Sequence, residues 1–104
     1  MSDFTTTAIV PTANASRYLQ QLCKHWQHNL TVEFDAGHGT VVFPRDARGA
    51  DHPGDALVTF DAGDALTVRI DATSAEQLDA LKGAVARHLD RFAFREAPLT
   101  FDWR

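Results

Sequence analysis

The chain predicts an α+β fold: a two-layer sandwich in which an antiparallel sheet carries two antiparallel helices on one face. Three observations predict it. Apolar residues recur at helical spacing in two separate stretches, alternation of period two fills the segments between and beyond them, and most connections are tight enough to reverse the chain. At 104 residues, the chain fits one domain, 1–104, large enough to bury a core without staples.

The elements follow in order. Residues 4–10 are β-branched and Thr-rich and read as a strand, which Pro11 ends before Thr12-Ala13-Asn14 offers helix N-cap candidates. Ala15, Leu19, Leu22, Cys23, Trp26 and Leu30 then line one face of a helix of about four turns, with Asn29 as its stop. Two hairpins follow. Residues 31–34 and 40–43 alternate around Asp35-Ala36-Gly37-His38-Gly39, and 57–60 and 66–70 do so around Asp61-Ala62-Gly63-Asp64. The segment 44–55 between the hairpins has prolines, glycines, charges and no period, so it reads as an exposed loop, long for a compact domain.

Thr73 with Glu76 and Ser74 with Gln77 form two overlapping capping boxes, where the second helix starts. Its apolar stripe is Leu78, Leu81, Val85, Leu89 and Phe92, and Pro98 lies beyond its end. Leu99, Phe101 and Trp103 then share one face of a closing strand. The expected order is strand, helix, four strands, helix, strand. An even number of strands between the helices sets them antiparallel if every connection reverses the chain.

Composition narrows the partners. Ten basic against fourteen acidic residues give a net charge of -4, with the acids spread along the chain, so nucleic acid is not an expected partner. No stretch approaches the roughly 20 apolar residues that span a bilayer. The start, Met1-Ser2-Asp3-Phe4-Thr5, has neither the basic residues nor the apolar run of a secretion signal, and a lone cysteine excludes an intrachain disulfide; a cytoplasmic location away from membranes is the expectation.

The chemically capable side chains gather in Cys23-Lys24-His25-Trp26-Gln27-His28, with His88 on the second helix. Cys23 lies on the apolar face and reads as a small buried hydrophobe. It points away from His25, so the two make no nucleophile pair, and no catalytic residue is assigned. On matching flanks of the two helices, Tyr18, His25, His88 and Arg95 would converge in the groove between them if those flanks face each other. A metal ion is one candidate occupant and the only cofactor suggested: His25 and His28 at i, i+3 offer two nitrogens and His88 a third. A small anionic ligand is the other, since Arg87, Arg91 and Arg95 recur every fourth residue. In the plainer reading, nearby carboxylates such as Asp90 and Glu96 pair with these arginines, and Trp26, Phe92 and Trp103 fill the core.

Two blocks, Arg17-Tyr18-Leu19-Gln20-Gln21-Leu22-Cys23-Lys24-His25-Trp26-Gln27-His28 and His88-Leu89-Asp90-Arg91-Phe92-Ala93-Phe94-Arg95-Glu96, with the ending Trp103-Arg104, resemble the bacterial family known only as domain of unknown function 2218. The resemblance covers nearly the whole chain, although the 44–55 loop is longer than the tight connection associated with that family. It implies a small bacterial protein with no established activity. Relatives joined to siderophore-interacting flavin reductases also imply an accessory role in iron handling, with such a reductase as partner. The residues and the resemblance together suggest a non-enzymatic binding or accessory module, its ligand site drawn from Tyr18, His25, His88, Arg91 and Arg95 and its metal set from His25, His28 and His88. The alternative is a structural or protein-interaction domain without a small-molecule site, for instance a homodimer joined through strand edges or a helix surface. A third reading makes His25 or His88 an acid–base group of a small-molecule enzyme.

Overall fold

A computed structural model describes residues 4–46, 49, 51–96 and 99–104. Five strands and two helices follow one another as β1 (Phe4–Val10), α1 (Ala15–Trp26), β2 (Thr31–Phe34), β3 (His38–Phe43), β4 (Ala56–Ala62), β5 (Leu66–Ala72) and α2 (Ala75–Phe92). The strands form one antiparallel sheet in the order β1-β5-β4-β3-β2. The α+β class and both hairpins are as the patterns predict.

Register explains why one face is buried. Ala8 lies opposite Val68, Val68 opposite Phe60, and Ile70 opposite Val58, so residues of one parity share a face, and these five are inaccessible to solvent. The opposite parity puts Thr5, Thr7, Thr40, Thr59, Thr67 and Arg69 on the outer face, which no helix among the described residues covers. Helix α1 packs over β2, β3 and β4, and α2 over β5 and β1. The helices run antiparallel: Tyr18 near the start of α1 meets Glu96 just past the end of α2, while Trp26 at the end of α1 meets His88, farther back along α2.

Gly39 allows α1 to sit this low. A Cβ at that position would lie 2.8 Å from Cys23 Sγ and 3.2 Å from Phe34 Cβ. Leu19, Leu22 and Cys23 are accordingly buried against the sheet, as the helical stripe predicts.

Three expectations need correction. The closing strand is absent: among the described residues, 99–104 pair with β1 only through Thr7 and Arg104, whose backbone groups bond reciprocally at 3.2 and 2.8 Å. A strand needs successive pairs, and the amide of Leu99 instead donates to Asp90 Oδ1 at 2.9 Å. The expected alternation persists nonetheless, since Leu99 is buried and the Phe101 and Trp103 rings stack at 5.6 Å against the core.

The first helix also ends earlier than predicted, at Trp26, where Asn29 N closes a tighter i, i+3 turn onto Trp26 O. At the second helix Ser74 is the cap, and the return bond of its box goes to the preceding amide instead of its own. Ser74 Oγ accepts from Gln77 N at 3.1 Å, and Gln77 Oε1 reaches Thr73 N at 2.7 Å.

The 44–55 loop is exposed at most of its described positions, as expected, and is tied to the start of α2 through Gly54. His52 N donates to Arg45 O, Gly54 N donates to Thr73 Oγ1, and Gln77 Nε2 donates to Gly54 O. Residues 47, 48 and 50 of the loop, the Pro98 stop signal and residues 1–3 lie outside the described residues.

Candidate functional site

Antiparallel packing brings the predicted flanks face to face. The imidazoles of His25 and His88 lie 5.3 Å apart between ring centroids; His25 also meets Phe92 edge-on, and His88 packs on Trp26 at 5.1 Å. His88 Nδ1 lies 2.6 Å from Ala84 O, the acceptor one helical turn back, so this nitrogen carries the hydrogen and donates it. Trp26 is the hinge of the cluster. Its other faces meet Phe43 of β3 and Phe60 of β4.

The third predicted metal ligand does not join. His28 falls past the end of α1, in the turn that carries the chain to β2, so the i, i+3 relation to His25 is no longer that of a helix. Among the described residues no three His, Cys, Asp or Glu side chains gather where they could hold a metal ion.

Two cavities flank the imidazole pair. One, of about 260 Å3, opens between the end of α1, the N-terminal half of α2 and the 44–55 loop. Trp26, Phe43 and Leu81 give it apolar walls, and Arg87, His88 and His52 stand around it. Ser74, the cap of α2, holds His52 through Nδ1 at 3.4 Å. The second cavity, of about 250 Å3, lies at the other end of the groove, between Arg17 and Tyr18 of α1 and Phe92 and Arg95.

The expected arginine column is therefore broken. Because α2 ends at Phe92, Arg95 leaves the helix and turns to the second cavity, Arg87 lines the first, and Arg91 lines neither. The carboxylates expected to neutralise them are engaged elsewhere: Asp90 binds the amide of Leu99, and Glu96 binds the start of α1. Among the described residues, Arg87 and Arg95 have no acidic partner.

Glu96 is the residue that sequence reasoning missed. Thr12 Oγ1 donates to Glu96 Oε1 at 2.9 Å, Asn14 Nδ2 donates to Oε2 at 3.2 Å, and the Tyr18 hydroxyl donates to the same oxygen. Tyr18 thus commits its hydroxyl to fastening the helices. The hydrogen bonds from Tyr18 and Asn14 hold the Glu96 carboxyl below the usual carboxylate range; the bond to Glu96, reinforced by burial, pushes the Tyr18 hydroxyl up. A carboxylate over the first turn of α1 also complements that helix's positive end. The signal was present as donors without an acceptor in Thr12-Ala13-Asn14, but Glu96 follows Arg91 and Arg95 and reads as their neighbour.

Cys23 is buried as expected, and desolvation pushes its thiol up to about 11, so it remains protonated and unreactive near neutrality. Among the described residues no helix is long and apolar enough to cross a membrane.

Comparison with known proteins supports the fold. The NMR structure of PA4090 from Pseudomonas aeruginosa is similar with a TM-score of 0.73 and 27% identity, over 97% of this chain and 95% of that one. No curated protein matches the chain. The model of a family described as an uncharacterized protein conserved in bacteria matches residues 7–104, almost the whole chain. The chain belongs to that family, domain of unknown function 2218.

Proposed function

We propose that this protein is a non-enzymatic binding module that holds a small anionic ligand in the groove between its helices. One observation carries the reading: an apolar cavity of about 260 Å3 beside Arg87, which has no acidic partner among the described residues, at the end of the groove where Trp26 meets His88. Apolar walls with a few converging polar groups are what small-ligand sites have in common, and this cavity is near the lower end of their size range. A metal ion is the weaker occupant, since His25 and His88 offer two imidazoles and His28 does not join them. The partner proposed with this reading is a siderophore-interacting flavin reductase, on the family resemblance alone.

The test is chemical-shift mapping of the whole protein with a panel of small organic acids and neutral fragments. Saturable shifts confined to the groove, at Trp26, Ala84 and His88 among others, are expected; no saturable shift from any member of the panel overturns the reading. Elemental analysis of protein purified without chelator is expected to find no stoichiometric metal, and stoichiometric metal lost in a folded His25→Ala/His88→Ala variant would reverse that preference.

A second reading, a homodimer through the sheet, is favoured by one observation. Ile9 of the edge strand is 62% exposed on the outer face. Sedimentation equilibrium checks it: a dimer that Ile9→Lys dissolves would support this reading, and a concentration-independent monomer would remove it.

A further inference from the structure

Gly83 occupies an interior position of α2, where glycine is the least favourable residue after proline. A Cβ there would lie 2.9 Å from Arg87 Nη1. The guanidinium folds back one helical turn into the space that any other residue would fill. That seat holds the charge beside the apolar cavity, which both Gly83 and Arg87 line.

We propose that this cavity recognises a small cyclic monocarboxylate, of which an aromatic acid is the best-fitting class: its ring lies among Trp26, Phe43 and Leu81, and its carboxylate is received by Arg87 in the seat that Gly83 leaves. The proposal rests on the ligand-binding reading above and names the chemistry of its ligand. Size limits the occupant, since about 260 Å3 suits one ring and its substituents better than an extended chain. Apolar and aromatic walls favour a flat hydrocarbon body. A guanidinium receives a carboxylate through two parallel N–H donors, and Arg87 has no carboxylate of the described protein to occupy them. Charge selects a monoanion. Asp79 lines the same cavity, and its carboxylate repels a doubly charged phosphate ester more strongly than a singly charged acid.

The experiment is a titration of the whole protein, followed by amide and indole chemical shifts, with benzoate, its neutral counterpart benzamide, and inorganic phosphate. Benzoate is expected to shift Trp26, Gly83, Ala84 and Arg87 and to bind more tightly than either control. Arg87→Met, at an exposed position, should weaken benzoate by about tenfold or more while leaving benzamide unchanged, as expected for a lost charged hydrogen bond. Gly83→Ala separates seat from fold: the variant should gain thermal stability, because alanine suits a helix, yet bind benzoate less tightly, because the guanidinium is displaced. Benzamide binding as tightly as benzoate, or benzoate binding unchanged in both variants, overturns the carboxylate assignment and leaves the ligand-binding module standing. Benzoate shifts confined to Arg17, Tyr18 and Arg95 overturn the choice of cavity. No saturable shift from any probe or from the fragment panel removes both proposals.

Discussion

At Gly39 a missing side chain sets how closely the first helix approaches the sheet. The Cβ of an alanine would meet Cys23 Sγ at 2.8 Å, Phe34 Cβ at 3.2 Å and Leu19 Cδ2 at 3.4 Å, and neither the helix nor the hairpin can yield without disturbing the core. Gly39→Ala is expected to destabilise the fold by about 1–3 kcal/mol, as overpacking does, and urea denaturation would measure it. Glu96 acts through charge instead. Its folded value lies below the ordinary 4.5, so its contribution is present in full above the unfolded value and is lost as pH falls through the folded one. The stability difference between the protein and Glu96→Gln should therefore be constant near neutrality and shrink steadily in acid. A difference that persists at the acid end would show that the glutamine disturbs packing rather than removing a charge.

Among the elements, local patterns are legible and long-range ties are not. Both helices and both hairpins follow from periods of 3.6 and 2.0 that a short window contains, and the capping signal at Ser74 is complete within four residues. The tie from the 44–55 loop to the start of α2 is not contained in any window, because Gly54 meets Thr73 and Gln77 only after two strands have been placed between them. Gln77 illustrates the difficulty. It sits among the apolar positions of α2, buried with 3% exposure, and its amide serves Gly54 O while its carbonyl accepts from Thr73 N and Thr73 Oγ1. Gln77→Leu, similar in size, would strand those buried groups at a cost of about 1–3 kcal/mol. Hydrogen exchange should locate the loss: faster exchange at Gly54 and Thr73, with β4 and β5 still protected. The site divides along the same line. The meeting of His25 with His88 follows from helix rotation and a count of strands, whereas the separation of Arg87 from Arg95 depends on where α2 stops, and no glycine marks that end.

For the molecule as a whole, the strand order is the step that sequence leaves undetermined. After β1 the chain crosses by way of α1 to the opposite edge of the sheet and returns strand by strand, so β1 and β5 pair only when β5 arrives. The segment after α2 then returns to β1, where Arg104 pairs with Thr7. The Glu96 contacts have the same reach, since Thr12 and Glu96 stand 84 residues apart. Closing so long a loop costs chain entropy that only an already assembled sheet can offset. In kinetic terms, the carboxylate is the last latch to engage. Substitution at Glu96 should hasten unfolding in stopped-flow experiments and leave the refolding rate almost unchanged, so this one side chain governs how long the folded molecule lasts more than how quickly it forms.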